Sequence, residues 1–357
     1  MEYSPRGSAI VRALICNLLA QKDASGPVGA LRIAETRWGK TSEVATIVRA
    51  AVAGGSTASG AWGSELEAQS AVAEFLEIVK PLTIIGRMEN LRRVPVNAPV
   101  VKQSSGATGY WVAQGRATPL SSMAFDRTKL EARMRVGALV VVSNDLLEAA
   151  GGDNILRGDL ALAVATATDL AFIDYLNAGV AGKMPAGIAY GAPAIAASGT
   201  DAAAFKADIA NALEAFTGSL VNAVWVAHPR AGAAIGLMNG SLGVACNVGA
   251  RGGELAGLPF LTSESVEITT DGTTITLIDA SSVLIAEGAV TLSQSNEGAV
   301  EMDTTPTGDG TTPTAATTLV PLWQTESTGI KAERHIEWEL GRPGAAVVIT
   351  HVPYGAN

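Results

Sequence analysis

The pattern of apolar and polar positions divides the chain into helical and extended segments. In SELEAQSAVAEFLEIVK (64–80) apolar residues recur near the helical period, which predicts an amphipathic helix. From Lys129 to Ser143 apolar and charged residues first alternate and then give way to an apolar run, which predicts one strand passing from an exposed ribbon into a core. The apolar stripe over 154–177 predicts a helix about 36 Å long.

Residues 103–128 lie between two extended segments, and their glycines and one proline break any helix. The simplest geometry is a long two-stranded hairpin. Its polar tip contains the adjacent aromatic residues Tyr110 and Trp111, although aromatic residues make up only 5% of the chain. A hairpin alone is marginally stable in water. We therefore expect the ribbon to lie on another surface, which is either a neighbouring molecule or the core of its own chain.

The C-terminal half has a different organisation. Residues 179–317 alternate a short helix with compact strands, which predicts a separate α+β subdomain. The segment DTTPTGDGTTPTAATT (303–318) has the composition of a connector. One polar face of the strands that follow carries Glu337 and Glu339, which we expect to be solvated or to form salt bridges between chains.

The first 60 residues are chemically distinct. They alternate short apolar helical patterns with small-residue breaks, which predicts a flexible arm. They hold seven basic side chains against four acidic ones, a net charge of +3, whereas the whole chain has a net charge of −9. That acidic balance argues against a general nucleic-acid-binding surface.

Cysteine content and hydropathy indicate the cellular compartment in which we expect the protein. The two cysteines, Cys16 and Cys246, are far apart, so they indicate neither a disulfide framework nor a zinc site, and a reducing cytoplasm fits best. No stretch approaches the roughly 18 apolar residues that a membrane span needs. We therefore expect a soluble chain with no membrane partner.

Signals for catalysis are weak. AETRWGKT (34–41) satisfies the loose phosphate-loop pattern through Gly39, Lys40 and Thr41. Ala34 replaces its first glycine, and only the weak strand VGALRI precedes it, so an exposed basic segment is favoured over a nucleotide-binding enzyme. The three histidines lack metal-ligand spacing, and no GxSxG or GxGxxG motif occurs. We expect no catalytic residue, no metal and no cofactor, and hence no enzymatic activity.

Four stretches, in this order, resemble the major capsid proteins of tailed bacteriophages, whose fold is shared with encapsulins and the herpesvirus shell floor. WGSELEAQSAVAEFLEIVKPLTIIGRM resembles the helix between arm and body. YWVAQGRATPLSSMAFDRTKLEARMRVGALVVVSNDLLEAA resembles the extended loop running into the spine helix. NAVWVAHPRAGAAIGLMN with GGELAGLPFLTSESV resembles the axial domain, and LWQTESTGIKAERHIEWELGRPGAAVVIT resembles the last strands. Together they cover roughly residues 61–352.

The resemblance implies an α+β phage major capsid fold with an N-terminal arm, an extended β-hairpin loop, a peripheral domain with a long spine helix, and an axial domain. It implies these boundaries: 1–60 N-terminal arm, 61–99 body helix and first peripheral-domain strand, 100–135 extended loop, 136–178 peripheral domain with spine helix, 179–317 axial domain, 318–342 peripheral-domain strands, and 343–357 final strand and C-terminus.

The resemblance also implies a function. The protein would be a structural component of the virion that self-assembles in the bacterial host cytoplasm into hexamers and pentamers of an icosahedral capsid. Its partners would be many copies of itself, together with scaffold, portal and decoration proteins, and the shell would enclose double-stranded DNA without sequence-specific binding. An encapsulin-like compartment with the same fold and no genome is the alternative.

Two sets of residues would form contacts between subunits. In the extended loop they are Tyr110, Trp111, Val112, Arg116, Arg127, Arg133 and Arg135. In the N-terminal arm they are Arg6, Arg12, Arg32 and Trp38. Whether the arm faces DNA, a scaffold or another subunit stays open, as does whether it is retained. No lysine occurs in the loop tip (103–122), so covalent crosslinking through a loop lysine is not expected.

Overall fold

The computed structural model describes residues 8–22, 26–52, 79–105, 110–120, 124–131, 133–148, 152–242, 246–303 and 319–354. The helix predicted at 64–80 and the connector predicted at 303–318 fall almost wholly outside these ranges, and Arg6 also falls outside them. Among the described helices, none is both long enough and apolar enough to span a membrane.

The described α-helices are α1 Ser8–Lys22, α2 Gly26–Trp38, α3 Glu43–Val52, α4 Ile84–Arg87, α5 Asn144–Glu148, α6 Gly152–Ile173, α7 Ala202–Ala215 and α8 Pro229–Leu242. Short 3-10 turns occur at Lys80–Leu82, Leu220–Asn222 and Ala280–Ser282. The long helix predicted at 154–177 is confirmed as α6, which begins two residues earlier and ends in a turn after Ile173.

The described strands are β1 Arg92–Arg93, β2 Pro99–Ser105, β3 Ala124–Lys129, β4 Arg135–Ser143, β5 Ala194–Ala196, β6 Ala223–Ala227, β7 Cys246–Gly249, β8 Gly252–Leu255, β9 Leu258–Thr262, β10 Thr273–Asp279, β11 Val283–Ser295, β12 Ala299–Glu301, β13 Leu319–Pro321, β14 Ser327–Leu340 and β15 Ala346–Val352. They form a seven-stranded sheet (β5-β15-β10-β6-β9-β8-β7), a four-stranded sheet (β1-β11-β14-β4) and two pairs (β2-β3 and β12-β13).

The centre of the seven-stranded sheet is buried on both faces. Strand β10 pairs antiparallel with β6 and β15, so Leu277 lies between Trp225 and Val347. Trp225 packs in a cluster with side chains of α7 and α8, whereas its neighbours Val224 and Val226 pack in a second cluster with α4 and α6. This two-sided burial explains why β6 is apolar throughout and shows no alternation.

The C-terminal half of α6 is fixed by a buried carboxylate and an aromatic pair. Both carboxylate oxygens of Asp169 accept the N–H of Ile84 at 2.9 Å, and the Ser263 hydroxyl lies 3.3 Å from one of them. Phe172 meets Trp338 edge to face with ring centroids 5.4 Å apart, and the Trp338 indole N–H donates to the carbonyl of Ala186 at 2.8 Å. The helix is therefore held by polar and apolar contacts at once.

The single strand predicted from Lys129 to Ser143 is two strands in the structure. The chain leaves regular pairing between the end of β3 and the start of β4. In this interval Leu130 is buried with Val100, Leu284 and Ala286. The alternation continues on both sides of the break, because Leu130 is buried whereas Arg133 and Arg135 are exposed.

Residues 8–22 and 26–52 form three packed helices with their own core, where the sequence predicted a flexible arm. That core is built largely of small side chains, namely Ala9, Ala13, Cys16, Ala20, Ala30, Ala34, Val44, Ala45 and Val48. The weak strand predicted at VGALRI was wrong, since this segment lies inside α2. Alanine gives little contrast between buried and exposed positions, so the helical period was faint. Burial raises the pKa of the Cys16 thiol to about 11, partly offset by Arg37, and keeps the thiol protonated at neutral pH.

The described parts of the chain separate into two compact units. One comprises 1–79, 137–164 and 289–334, and the other comprises 80–136, 165–288 and 335–357. The resemblance implied that residues 179–317 form one domain. Strand β11 lies within that range, but it pairs with β1 and belongs to the four-stranded sheet instead of the seven-stranded one. Conversely, β15 lies in the seven-stranded sheet, between β5 and β10. Periodicity identifies a strand but not its partner, which is why the sequence missed both placements.

Candidate assembly surface

Strands β2 and β3 form the hairpin that the sequence predicted. They pair antiparallel from Pro99 opposite Lys129 to Gln103 opposite Phe125, with an irregularity before Ser105. The pairing of the two extended segments is thus confirmed. We call residues 110–120, the described part of the loop between these strands, the hairpin tip.

One carboxylate holds both strands of the hairpin. Glu339 on β14 forms an ion pair with Lys102 of β2, and its other oxygen accepts the Thr128 hydroxyl of β3 at 2.6 Å. The Lys102 side chain is only 13% exposed. Glu337 accepts the backbone N–H of Glu131 at 2.8 Å. Instead of being solvated or bridging chains, as the sequence suggested, these two glutamates anchor the hairpin within the chain.

Apolar packing supports the same end of the hairpin. Val100 and Leu130 are buried in a small cluster with Leu284 and Ala286 of β11. The N–H of Asn97 also donates to the carbonyl of Leu130 at 2.8 Å. The base of the hairpin is therefore fixed by polar and apolar contacts together.

The hairpin tip, in contrast, is exposed along its whole described length. Trp111 is 103% exposed and Leu120 is 95% exposed, while Tyr110 and Val112 are also exposed. The rings do not cap the core of their own chain, which was the alternative the sequence left open. A group of large apolar side chains held in solvent is typical of a binding surface.

The four loop arginines are also at the surface. Arg116 lies in the hairpin tip and Arg127 on β3, both exposed. The Arg133 guanidinium lies 2.6 Å from the Glu131 carboxylate, and both side chains remain accessible to solvent. Such an exposed pair contributes about 0 to 1 kcal/mol. Arg135 is exposed as well, so the structure places positive charge along the ribbon but does not gather it at one point.

The N-terminal residues singled out by the sequence have different roles in the structure. The Arg12 guanidinium lies 5.6 Å from the centre of the Trp38 ring, which is a cation–π geometry inside the three-helix segment. Arg32 is exposed on α2. The structure thus brings Arg12 and Trp38 together and leaves Arg32 at the surface.

The phosphate-loop pattern at 34–41 does not form a phosphate cradle. Its first five residues are the end of α2, and the N–H of Gly39 donates to the carbonyl of Glu35 at 3.0 Å. Gly39 has φ +92° and ends the helix. A phosphate site needs free N–H groups in a loop that leads into a helix N-terminus, whereas residues 34–38 are helical and the Gly39 N–H is engaged at the C-terminus of α2.

Side chains that could bind a metal are dispersed in the part of the chain that the structure describes. There, no three His, Cys, Asp or Glu residues are grouped so that they could hold a metal ion. Nδ1 of His228 accepts the backbone N–H of Arg230 at 3.0 Å, and burial, followed by the Arg230 charge, lowers the pKa of this histidine. His228 therefore caps its own turn as a neutral ring.

Comparison with known proteins gives a consistent result. A family model described as the phage capsid family matches residues 73–307. A capsid polyprotein of Pseudomonas phage PAJU2 is 35% identical over 370 residues, covering 98% of this chain and 54% of the relative. The chain therefore spans about half the length of that relative.

Solved structures add a likeness in fold. A chain from Mycobacterium phage Ogopogo aligns with a TM-score of 0.50 and 15% identity, covering 75% of this chain and 91% of that chain. A second structure, the capsid of a native GTA particle, has a TM-score of 0.48 and 15% identity, covering 73% of this chain and 88% of that chain. At such low identity the first of these supports the fold alone.

Proposed function

This chain belongs to the phage capsid family, and we propose that it is the major capsid protein of a tailed phage, whose copies assemble into the hexamers and pentamers of an icosahedral shell around double-stranded DNA. The observation that carries the proposal is the hairpin, which has an anchored base and a tip whose largest side chain, Trp111, is fully exposed. Exposure of apolar side chains to water is unfavourable in free energy unless another copy of the chain covers them.

The hairpin has the reach to contact a neighbour. The chain between Ser105 and Ala124, folded back on itself at about 3.3 Å per residue, extends up to about 30 Å from the paired strands. A contact between this tip and a different surface of the next copy is heterologous, so it repeats around a ring. Rings built in this way need no two-fold self-complementary patch.

The energy of one such contact is moderate. Burying an aromatic side chain removes about 150 to 250 Å² from water, and about 25 cal/mol per Å² gives roughly 4 to 6 kcal/mol for Trp111 before costs. Ordering and association consume much of that gain. Shell stability therefore depends on many simultaneous contacts per subunit, and each single interface stays weak enough to be corrected during assembly.

Charged side chains and further proteins would also take part in assembly. Arg116 and Arg127, which are exposed, would face acidic surfaces of adjacent copies, while Arg32 would make the contact of the N-terminal segment. The net charge of −9 suits a container that does not grip DNA phosphates. Scaffold, portal and decoration proteins would join the shell, and assembly would take place in the bacterial cytoplasm.

Truncating Trp111 tests the proposal. We expect Trp111→Ala to reduce the yield of shells at least tenfold, measured by electron microscopy and sedimentation, with circular dichroism and the melting temperature of the unassembled protein unchanged. Trp323→Ala is the matched control, because Trp323 is exposed outside the hairpin. Normal assembly of the Trp111 variant, or loss of its fold, would contradict the assignment.

The nucleic acid content of particles distinguishes the two kinds of shell. Particles isolated from infected cells should contain nuclease-protected double-stranded DNA. An encapsulin-like compartment would contain none.

A further inference from the structure

One end of the segment formed by α1, α2 and α3 carries a cluster of basic side chains. The Arg12 guanidinium lies over the Trp38 ring, so the first half of α1 meets the end of α2. A guanidinium nitrogen of Arg49 on α3 donates to the carbonyl of Lys40 at 3.1 Å. Arg37 and Lys40 are both exposed. We call Arg12, Arg37, Lys40 and Arg49 together the basic end.

Acidic side chains offset little of this charge. The described parts of the three helices hold six basic side chains and two acidic ones, Glu35 and Glu43. Glu35 forms an ion pair with Arg49 at 2.6 Å, and Glu43 is exposed in the first turn of α3. The net charge is −9 for the whole chain and +3 for residues 1–60, which leaves −12 for residues 61–357. The sign of the charge therefore reverses in the N-terminal segment.

The surface at the basic end is polar as well as positive. Gly39, Lys40 and Thr41 are exposed there, and Trp38 is half-buried. Val28, an exposed large apolar side chain of these helices, lies near the other end of α2. Interfaces between proteins have an apolar core depleted of charge, whereas interfaces with DNA are more polar and much more positively charged. The basic end therefore fits a polyanion better than a protein surface.

The side-chain chemistry identifies phosphate as the group that is bound. The planar guanidinium of arginine can donate two parallel hydrogen bonds to one phosphate, and a lysine ammonium binds phosphate as a point charge. The contact with Trp38 holds the Arg12 guanidinium at the basic end. Contacts to phosphate position a protein on a duplex and carry no sequence information directly.

We propose that the basic end binds the phosphate backbone of duplex DNA without reading its sequence. This inference rests on the proposed function, which supplies the DNA, and adds the part of the chain that contacts it. Arg12, Arg37 and Lys40 would neutralise about three phosphates, while Arg49 is already engaged by Glu35. So few contacts give weak and reversible binding. The acidic remainder of the chain keeps the rest of the DNA free to move.

A salt titration tests the proposal with the full, unassembled chain and a short fluorescent DNA duplex. For three phosphate contacts the logarithm of the association constant should fall against the logarithm of the salt concentration with a slope of about −2.7, which is about a 40-fold loss of affinity between 50 and 200 mM salt. Duplexes of two unrelated sequences should bind equally. Inorganic phosphate at the same concentration of phosphate groups should not displace the duplex, and displacement would assign the site to a free anion and refute the proposal.

Removing two of the charges tests the residues themselves. Arg37→Gln combined with Lys40→Gln should reduce the slope to about −0.9 and weaken binding at 50 mM salt at least tenfold. Both positions are exposed, so circular dichroism should show an unchanged fold. Lys206→Gln combined with Arg251→Gln is the matched control, because both side chains are exposed outside the N-terminal segment. The control should bind DNA with the wild-type affinity and slope.

A measurement on the wild-type chain keeps the proposal testable if the double variant fails to fold. Acetylation of Lys40 should be at least fivefold slower with duplex DNA bound than without it, whereas acetylation of Lys206 should not change. Equal rates at Lys40, or wild-type affinity and slope in the double variant, would overturn the proposal. A double variant that binds DNA normally but assembles poorly would assign the basic end to another copy and also refute it. Shells from a chain that binds no DNA would leave the proposed function intact, whereas absence of shells would overturn that function itself.

Discussion

Replacing Glu339 with alanine should release the base of the hairpin without unfolding the subunit. The carboxylate of Glu339 contacts both strands, through Lys102 on β2 and Thr128 on β3. The variant removes both contacts and leaves the mostly buried ammonium of Lys102 without this partner.

The contacts of Glu339 set the size of the effect. A hydrogen bond to a charged group contributes about 1.5 to 3 kcal/mol, and the two contacts share one carboxylate that is 39% exposed. Solvent screening reduces the ionic part. We therefore expect a loss of about 2 to 3 kcal/mol, concentrated in the hairpin, while the apolar cluster around Leu130 keeps the body folded. A loss of 2 kcal/mol raises local opening about 30-fold.

Hydrogen exchange measures this opening directly. Amide protons of β2 and β3 in Glu339→Ala should exchange about 30-fold faster, whereas those of β6 and β10 keep their protection. Adding Lys102→Met removes the buried charge and should recover part of the loss, and Glu339→Gln, which keeps the hydrogen-bonding shape, should have an intermediate effect. Unchanged exchange in β2 and β3 of Glu339→Ala would refute the anchoring role of this residue.

Two further predictions concern the body of the subunit. Gly253 has φ +149°, and a Cβ there would lie 1.8 Å from the carbonyl oxygen of Asn247, so Gly253→Ala should lower the free energy of unfolding by at least about 2 kcal/mol in chemical denaturation. Gly249→Ala is the control, since no atom lies within 4 Å of its Cβ, and similar losses would contradict the reasoning. Burial alone would raise the pKa of Asp279, but hydrogen bonds from Ser219, Ser281 and Ser282 lower it below the ordinary value of 3.8. Its stabilising contribution is therefore complete above about pH 4 and lost as the pH falls through the lower folded-state pKa. The stability difference between wild type and Asp279→Asn should shrink over that range, and a constant difference from pH 6 to pH 2 would argue against it.

The sequence predicted the elements whose hydrophobic contrast is strong. Helix α6 and the hairpin strands β2 and β3 were identified because large apolar side chains recur there at the helical period or flank a polar, glycine-containing tip. The position of Trp111 in a polar, glycine-containing stretch favoured its exposure, although the sequence also left open that it caps the core of its own chain. Such features depend on local pattern alone, which a single sequence preserves.

Features that depend on partners were not predicted. The alternation of β14 indicated that Glu337 and Glu339 share a polar face, but not that the hairpin crosses that face. The position of β15 inside the seven-stranded sheet and the packing of α1, α2 and α3 were missed for the same reason. The cavity of 680 Å³ beside the C-terminal end of α6 is also a product of tertiary packing, because its lining comes from segments far apart in sequence.

The position of β15 between β5 and β10 has a consequence for synthesis on the ribosome. Strands β5 and β10 both pair with β15, which is synthesised after them. A nascent chain therefore cannot complete the seven-stranded sheet until Val352 has left the exit tunnel. A message cut short before Ala346 would yield a polypeptide with two open strand edges, a substrate for chaperones and proteases. The strand order thus makes closure of the main sheet depend on the last of its strands to be synthesised.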